Sequence, residues 1–197
     1  MHNLDLPKNQ EQKIQTFVEE AFRYNKAHNL FVRKSIEEIY QKDINDCMPL
    51  IKFIEKNDKI LDVGTGAGFP GMLIGIIRPD TKITLVESNK KKTYFLKKTI
   101  RKLEIPNIKV QEEHLTNKSD IGIFDVVTAR AFSQTQNIIN ICNPFLQTGG
   151  RYLLLKGKEE KILEEIETIN KKEHKYEIIR IKNKYEERHI LVITKQN

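Results

Sequence analysis

The residues with the clearest chemical meaning are four glycines, Gly64, Gly66, Gly68 and Gly71, which follow the run Ile60-Leu61-Asp62-Val63. A strand that turns sharply into a helix over glycines lets the backbone approach a ligand closely, in conformations that other residues rarely adopt. The first N–H groups of the helix then point at whatever sits in the turn. The chemistry on offer is the binding of a nucleotide-like molecule. Gly66-x-Gly68-x-x-Gly71 satisfies the dinucleotide pattern, which makes a nicotinamide cofactor one candidate.

Two details favour another ligand. The turn begins earlier, at Gly64, and Asp62 at the strand end would meet a pyrophosphate with like charge. A ligand with a cationic end and no phosphate fits better, and S-adenosylmethionine (SAM) has that character: an ammonium, a sulfonium and an adenosine. Glu87 closes the next apolar run, nineteen residues beyond Gly68, where a carboxylate can accept hydrogen bonds from both ribose hydroxyls.

The elements that must position these groups follow from periodicity. Apolar residues at helical spacing, Ile14, Phe17, Val18, Ala21 and Phe22, predict a helix from about Asn9 to His28. A second helix is expected from Ser35, with Glu38 completing a capping box. Strands are then predicted at Lys59–Val63, Lys82–Glu87, Ile108–Gln111, Phe124–Thr128, Arg151–Leu155, Tyr176–Lys182 and His189–Lys195. Helices are predicted at Pro70–Ile77, Asn89–Leu103, Thr135–Phe145 and Glu159–Lys172. Alternation of this kind indicates a parallel sheet covered on both faces. The last two strands are separated only by Asn183–Arg188, too few residues for a crossover helix, and are expected to pair antiparallel. One domain over residues 1–197 is expected, with an N-terminal helical layer (1–57) ahead of an α/β core (58–197).

The chain has 34 Lys and Arg against 27 Asp and Glu, a formal net charge of +7 that favours polyanionic partners. No apolar run approaches a membrane span, and Met1–Pro7 lacks the pattern of a signal peptide. A cytoplasmic protein is therefore expected. Cys47 and Cys142 lack metal-ligand spacing, the five histidines are scattered, and no serine sits in a nucleophile elbow. Neither a metal nor a nucleophilic catalyst is expected. In the helix after the second strand, Phe95, Leu96, Ile100 and Leu103 fall on one side. Lys90, Lys91, Lys97, Lys98, Arg101 and Lys102 fall on the other. A stripe of one sign repels itself unless something neutralises it, and RNA phosphates would.

The run Leu61-Asp62-Val63-Gly64-Thr65-Gly66-Ala67-Gly68 resembles motif I of class I SAM-dependent methyltransferases, and the continuation Phe69-Pro70-Gly71 resembles the RsmG (GidB) family. Asn25-x-x-x-Asn29-Leu30, Lys91-Lys92-x-x-Phe95-Leu96, Arg130-Ala131-Phe132, Lys156-Gly157 and Arg188-His189 occur in the order that family shows, from Tyr24 to Lys195. The resemblance implies a Rossmann-like methyltransferase fold, with a mostly parallel seven-stranded sheet, its last strand antiparallel, plus N-terminal helices. It implies SAM as cofactor, and transfer of a methyl group to N7 of guanine 527 in bacterial 16S rRNA. The partner would be that RNA or the small ribosomal subunit, and the chain a monomer.

By the same resemblance Gly64, Phe69, Arg130 and the pair His114-Leu115 line the cofactor site, joining Gly66, Asp62 and Glu87. Family members carry an arginine and an acid near that pair, whereas this chain has Glu112-Glu113-His114-Leu115, so contact there is expected through the backbone. Lys91, Lys92 and Lys156 are the candidate RNA contacts. Guanine N7 already carries a free lone pair, so no general base is expected and no catalytic acid or base is assigned. Other readings of the turn are a methyltransferase for another RNA or a small molecule, an NAD-dependent oxidoreductase, and a non-catalytic RNA-binding module. The glycine turn sees only the donor.

Overall fold

The computed structural model describes residues 4–182 and 186–196. Met1, His2 and Asn3 of the N-terminal run, and Asn183, Lys184 and Tyr185 of the connection expected before the last strand, lie outside the described residues. Helix α1 (Lys8–His28) buries Ile14, Phe17, Val18 and Ala21 and ends where Asn29 adopts a left-handed conformation. The Asn29 N–H donates to the Asn25 carbonyl, and the Asn25 side chain accepts from Phe31 N–H at 3.0 Å. This asparagine pair closes the helix and turns the chain.

Ser35 caps α2 (Ile36–Ile39), accepting from the Glu38 N–H at 3.1 Å. Glu38 reaches back to the N–H of Lys34, one residue beyond the partner a capping box predicts. The helix then widens into a π turn (Tyr40–Ile44), returns to α3 (Asn45–Cys47) and tightens to a 3-10 segment (Met48–Phe53). An extra residue inserted in a helix swings its side chains to a new face, and the π turn does this to Asp43.

Seven strands follow: β1 (Lys59–Val63), β2 (Lys82–Glu87), β3 (Ile108–Glu112), β4 (Phe124–Arg130), β5 (Leu146–Lys156), β6 (His174–Ile181) and β7 (Arg188–Lys195). Between them run α4 (Gly71–Ile77), α5 (Lys90–Lys102), α6 (Thr135–Cys142) and α7 (Glu159–Ile166). The sheet order is β3-β2-β1-β4-β5-β7-β6, and β7 runs antiparallel to both neighbours. Pairing of Ala129 with Leu154 and of Arg130 with Leu155 extends β4 past the predicted Thr128 end and brings Arg130 to the carboxyl edge.

Alternate strand residues face opposite sides, as the pleat requires. Ile60, Ile83, Leu85 and Val126 join a core with α1, the α2–α3 segment, α4 and α5. Leu61, Val63, Val127 and Leu154 join a second core with α6 and α7. The N-terminal helices therefore share one core with the sheet and lean over its carboxyl edge, where open α/β sheets bind ligands. Among the described residues, no helix is long and apolar enough to cross a membrane.

Candidate active site

The turn after β1 is shaped by contacts that only glycine admits. Gly64 has φ +62°, and a Cβ there would lie 2.2 Å from Cδ2 of Phe132. Gly71, opening α4, lies so close to Leu85 and to the Asp62 carboxylate that a Cβ would collide with both. Asp62 is fully buried. Its Oδ2 accepts from the Gly71 N–H at 3.0 Å and from the Thr65 hydroxyl, while Oδ1 accepts from the Thr128 hydroxyl at 2.8 Å. Burial pushes its carboxyl up to about 6, against the pull of those three donors.

Asp62 thus pins the turn to β4 instead of reaching out to a ligand. This differs from the expectation of a cofactor contact, and it removes the like-charge argument against a pyrophosphate. Strand alternation is the reason: the Asp62 side chain points to the face that α4 covers.

Glu87 ends β2 almost fully buried. One of its oxygens accepts from the Gly66 N–H at 3.0 Å and the other from the Asn89 N–H at 2.9 Å. Each oxygen keeps a further lone pair for an incoming hydroxyl. A cavity of about 220 Å³ opens beside it, walled by Val63, Gly64, Val86, His114, Leu115 and Phe132. Leu115 is buried and forms an apolar wall, whereas His114 is exposed at the rim.

Gly64, Lys92, Ala131 and Phe132 also border a second cavity of about 580 Å³ under the N-terminal helices. Arg130 lines it but is already engaged, donating to Asp43 and lying 5.2 Å over the Phe69 ring. Asp43 is buried in the π turn and also holds Arg33 through two bonds of 2.7 and 2.9 Å. Phe69 is itself core, its ring 5.0 Å from that of Phe17.

Asp46 accepts from Arg188 at 3.0 Å across the same cavity. Lys156 lies mostly buried, 2.6 Å from Glu165, which Thr135 also bonds. Burial alone would raise the Glu165 carboxyl, but hydrogen bonds from Lys156 and Thr135 outweigh it and hold it below the usual range. Arg33, Asp43 and Glu165 carried no sequence signal.

The lysine stripe of α5 is partly answered inside the protein. Lys102 pairs with Glu20 at 2.6 Å, and Lys97 lies 3.7 Å from Glu112. Part of the stripe is therefore neutralised without RNA, because α1 and β3 supply acids that are remote in sequence. Lys90, Lys91, Lys98 and Arg101 remain exposed, while Lys92 turns to the mouth of both cavities.

A carboxylate with spare lone pairs, an apolar slot beside it and a glycine backbone without side chains together suit the ribose, adenine and extended chain of SAM. The sheet order with its reversed β7 and this site at the carboxyl edge define the class I SAM-dependent methyltransferase fold. A methyltransferase of Pyrococcus furiosus has the same fold, with a TM-score of 0.66 at 17% identity over 97% of this chain and 100% of that one. So does a precorrin-6y C5,15-methyltransferase of Geobacter metallireducens, at TM-score 0.61 and 14% identity over 86% and 92% of the two chains.

The chain belongs to the GidB family, rRNA small subunit methyltransferase G, whose model matches residues 10–191. It is 34% identical to the ribosomal RNA small subunit methyltransferase G of Brachyspira hyodysenteriae over 97% of this chain and 94% of that one. It is 35% identical to the protein of that name from a Marinomonas species, over 88% and 83%.

Proposed function

We propose that this protein methylates N7 of a guanine, guanine 527, in 16S rRNA with SAM as donor. The observation that carries the donor half is the Glu87 carboxylate hydrogen-bonded to the Gly66 N–H at the wall of the smaller cavity. Membership of the GidB family supports the acceptor half. When bound, SAM supplies a methyl group on a sulfonium, a good leaving group.

In this reading Gly64 and Gly66 give a flat backbone floor, Glu87 takes the ribose hydroxyls, and Leu115 with the His114 backbone flanks the adenine. Phe69 and Arg130 act from beneath, fixing the wall between the two cavities. The larger cavity receives the guanine. Its N7 carries a lone pair, so no side chain has to remove a proton. The work left to the chain is orientation and exclusion of water. Buried ion pairs suit that work, because their rotamers are fixed before the substrate arrives. A base within a stack cannot enter such a cavity, so the guanine comes from a loop or is flipped out. Lys91 and Lys92 at the rim, with Lys156 deeper inside, face the approaching backbone.

The test uses 16S rRNA from cells lacking this gene, incubated with the purified protein and methyl-labelled SAM. Chain cleavage at N7-methylguanine should then fall at one guanine. Label without N7 cleavage, or label spread over many sites, overturns the acceptor assignment.

A further inference from the structure

Away from both cavity walls, three side chains from two distant segments meet behind Lys156 and Arg188. Glu159 opens α7, and Glu187 and His189 flank Arg188 where β7 begins. One ligand atom from each lies within 4.8 Å of the others. His189 is 1% exposed, and its Nδ1 sits 2.7 Å from the Gly157 carbonyl. A carbonyl can only accept, so Nδ1 carries the hydrogen and Nε2 presents its lone pair. That Nε2 is buried without a hydrogen-bond partner among the described residues. It points at carboxylate oxygens of Glu159 and Glu187, 3.7 and 3.9 Å away. These distances are too long for a hydrogen bond.

Three lone-pair donors that converge without a hydrogen between them call for a cation. We propose that Glu159, Glu187 and His189 bind one divalent transition-metal ion, zinc being the best match. Imidazole with carboxylates is a borderline donor set suited to zinc. Ligand atoms around tetrahedral zinc, at about 2.0–2.2 Å from the metal, stand roughly 3.4 Å apart. The two separations from His189 exceed this by a few tenths of an ångström, and the two carboxylates lie within 4.8 Å of each other. Rotation of the exposed Glu159 and Glu187 side chains closes that gap and leaves His189 in place.

The supporting contacts are also present. The Gly157 carbonyl fixes the imidazole tautomer, and the Glu159 N–H donates to the Glu187 carboxylate at 3.0 Å. Partners of this kind orient metal ligands. A fourth position remains for water. The ion would tie the β5–α7 turn to the start of β7, the two segments that present Lys156 and Arg188 to the larger cavity. No sequence spacing betrays this set, because Glu159 lies roughly thirty residues before Glu187 and His189 and meets them only through the pairing of β5 with β7.

The full-length protein, freed of metal by chelator, is titrated with zinc by calorimetry and with cobalt(II) as a visible-light probe. One equivalent of zinc should bind, and zinc should compete with cobalt for the same site. Glu159→Gln and Glu187→Gln alter exposed side chains and should each weaken zinc binding at least tenfold, together abolishing it. Nitrogen-15 spectra should show the Nε2 signal of His189 moving on zinc addition while Nδ1 keeps its hydrogen. His189→Ala risks the fold, so the glutamine variants carry the decision. Absence of zinc uptake, or uptake unchanged in the double glutamine variant with a stationary His189 signal, overturns the proposal.

Discussion

Asp62 and Asp43 are both carboxylates sealed beneath the site, yet they are held by opposite means. Asp62 rests on two hydroxyls and a backbone N–H, all neutral donors. Asp43 rests on the guanidinium groups of Arg33 and Arg130. The first arrangement offsets burial only in part, and the Asp62 carboxyl stays raised, at about 6. The second depends on charge, since both arginines stay cationic. The pair also divides the site: Asp62 sets the glycine turn of the donor half, while Asp43 binds the N-terminal layer to β4 around the acceptor half.

Removing the charge from the second arrangement should do the most damage. Asp43→Ala strands two half-buried guanidinium groups, and breaking a buried pair costs roughly 3–5 kcal/mol. Because Arg33 and Arg130 keep some contact with solvent, the lower end of that range is expected, about 3 kcal/mol, in urea denaturation at neutral pH. A loss below about 0.5 kcal/mol, the size of an exposed ion pair, would mean that the bridge does not join the layers.

Asp62 should show itself through pH instead. With its carboxyl near 6 when folded and 3.8 when unfolded, the folded state binds the extra proton between those values. Stability should therefore fall as pH rises from about 4 to 6, by up to about 3 kcal/mol, and level off above. Asp62→Asn can keep the bonds to Thr65 and Gly71 and should flatten this slope. An unchanged slope in the asparagine variant would place the titration elsewhere.

The same contrast explains what the sequence could reveal. The glycine turn, the place of Glu87 at a strand end and the alternation of strands with helices are legible because each rests on local spacing or period. Even there, a linear pattern put Asp62 at the strand end but could not tell which way it faced. Arg33, Asp43 and Glu165 were invisible for a different reason. Arg130 and Asp43 meet across 87 residues, and a π turn aims Asp43 at them, which no helical period anticipates. The partners of Lys97 and Lys102 are hidden in the same way, because Glu112 and Glu20 reach them from other elements.

A smaller effect separates rim from cavity. Lys91→Glu changes an exposed side chain and should lower RNA affinity and flatten its salt dependence by about one counterion. SAM affinity should be unaltered, as filter binding over a salt series would reveal. Lys92→Glu, at the mouth of both cavities, should disturb both ligands. Equal behaviour of the two variants would erase the distinction.

The glycine turn as the donor site is tested most directly by equilibrium titration of SAM into the wild-type protein and Gly64→Asp. The wild type should bind SAM in preference to NADH. The variant, with a side chain forced against Phe132 at positive φ, should keep its circular dichroism spectrum and lose SAM affinity by at least a hundredfold. Undiminished SAM binding by the folded variant, or a wild type that binds NADH and not SAM, contradicts the account.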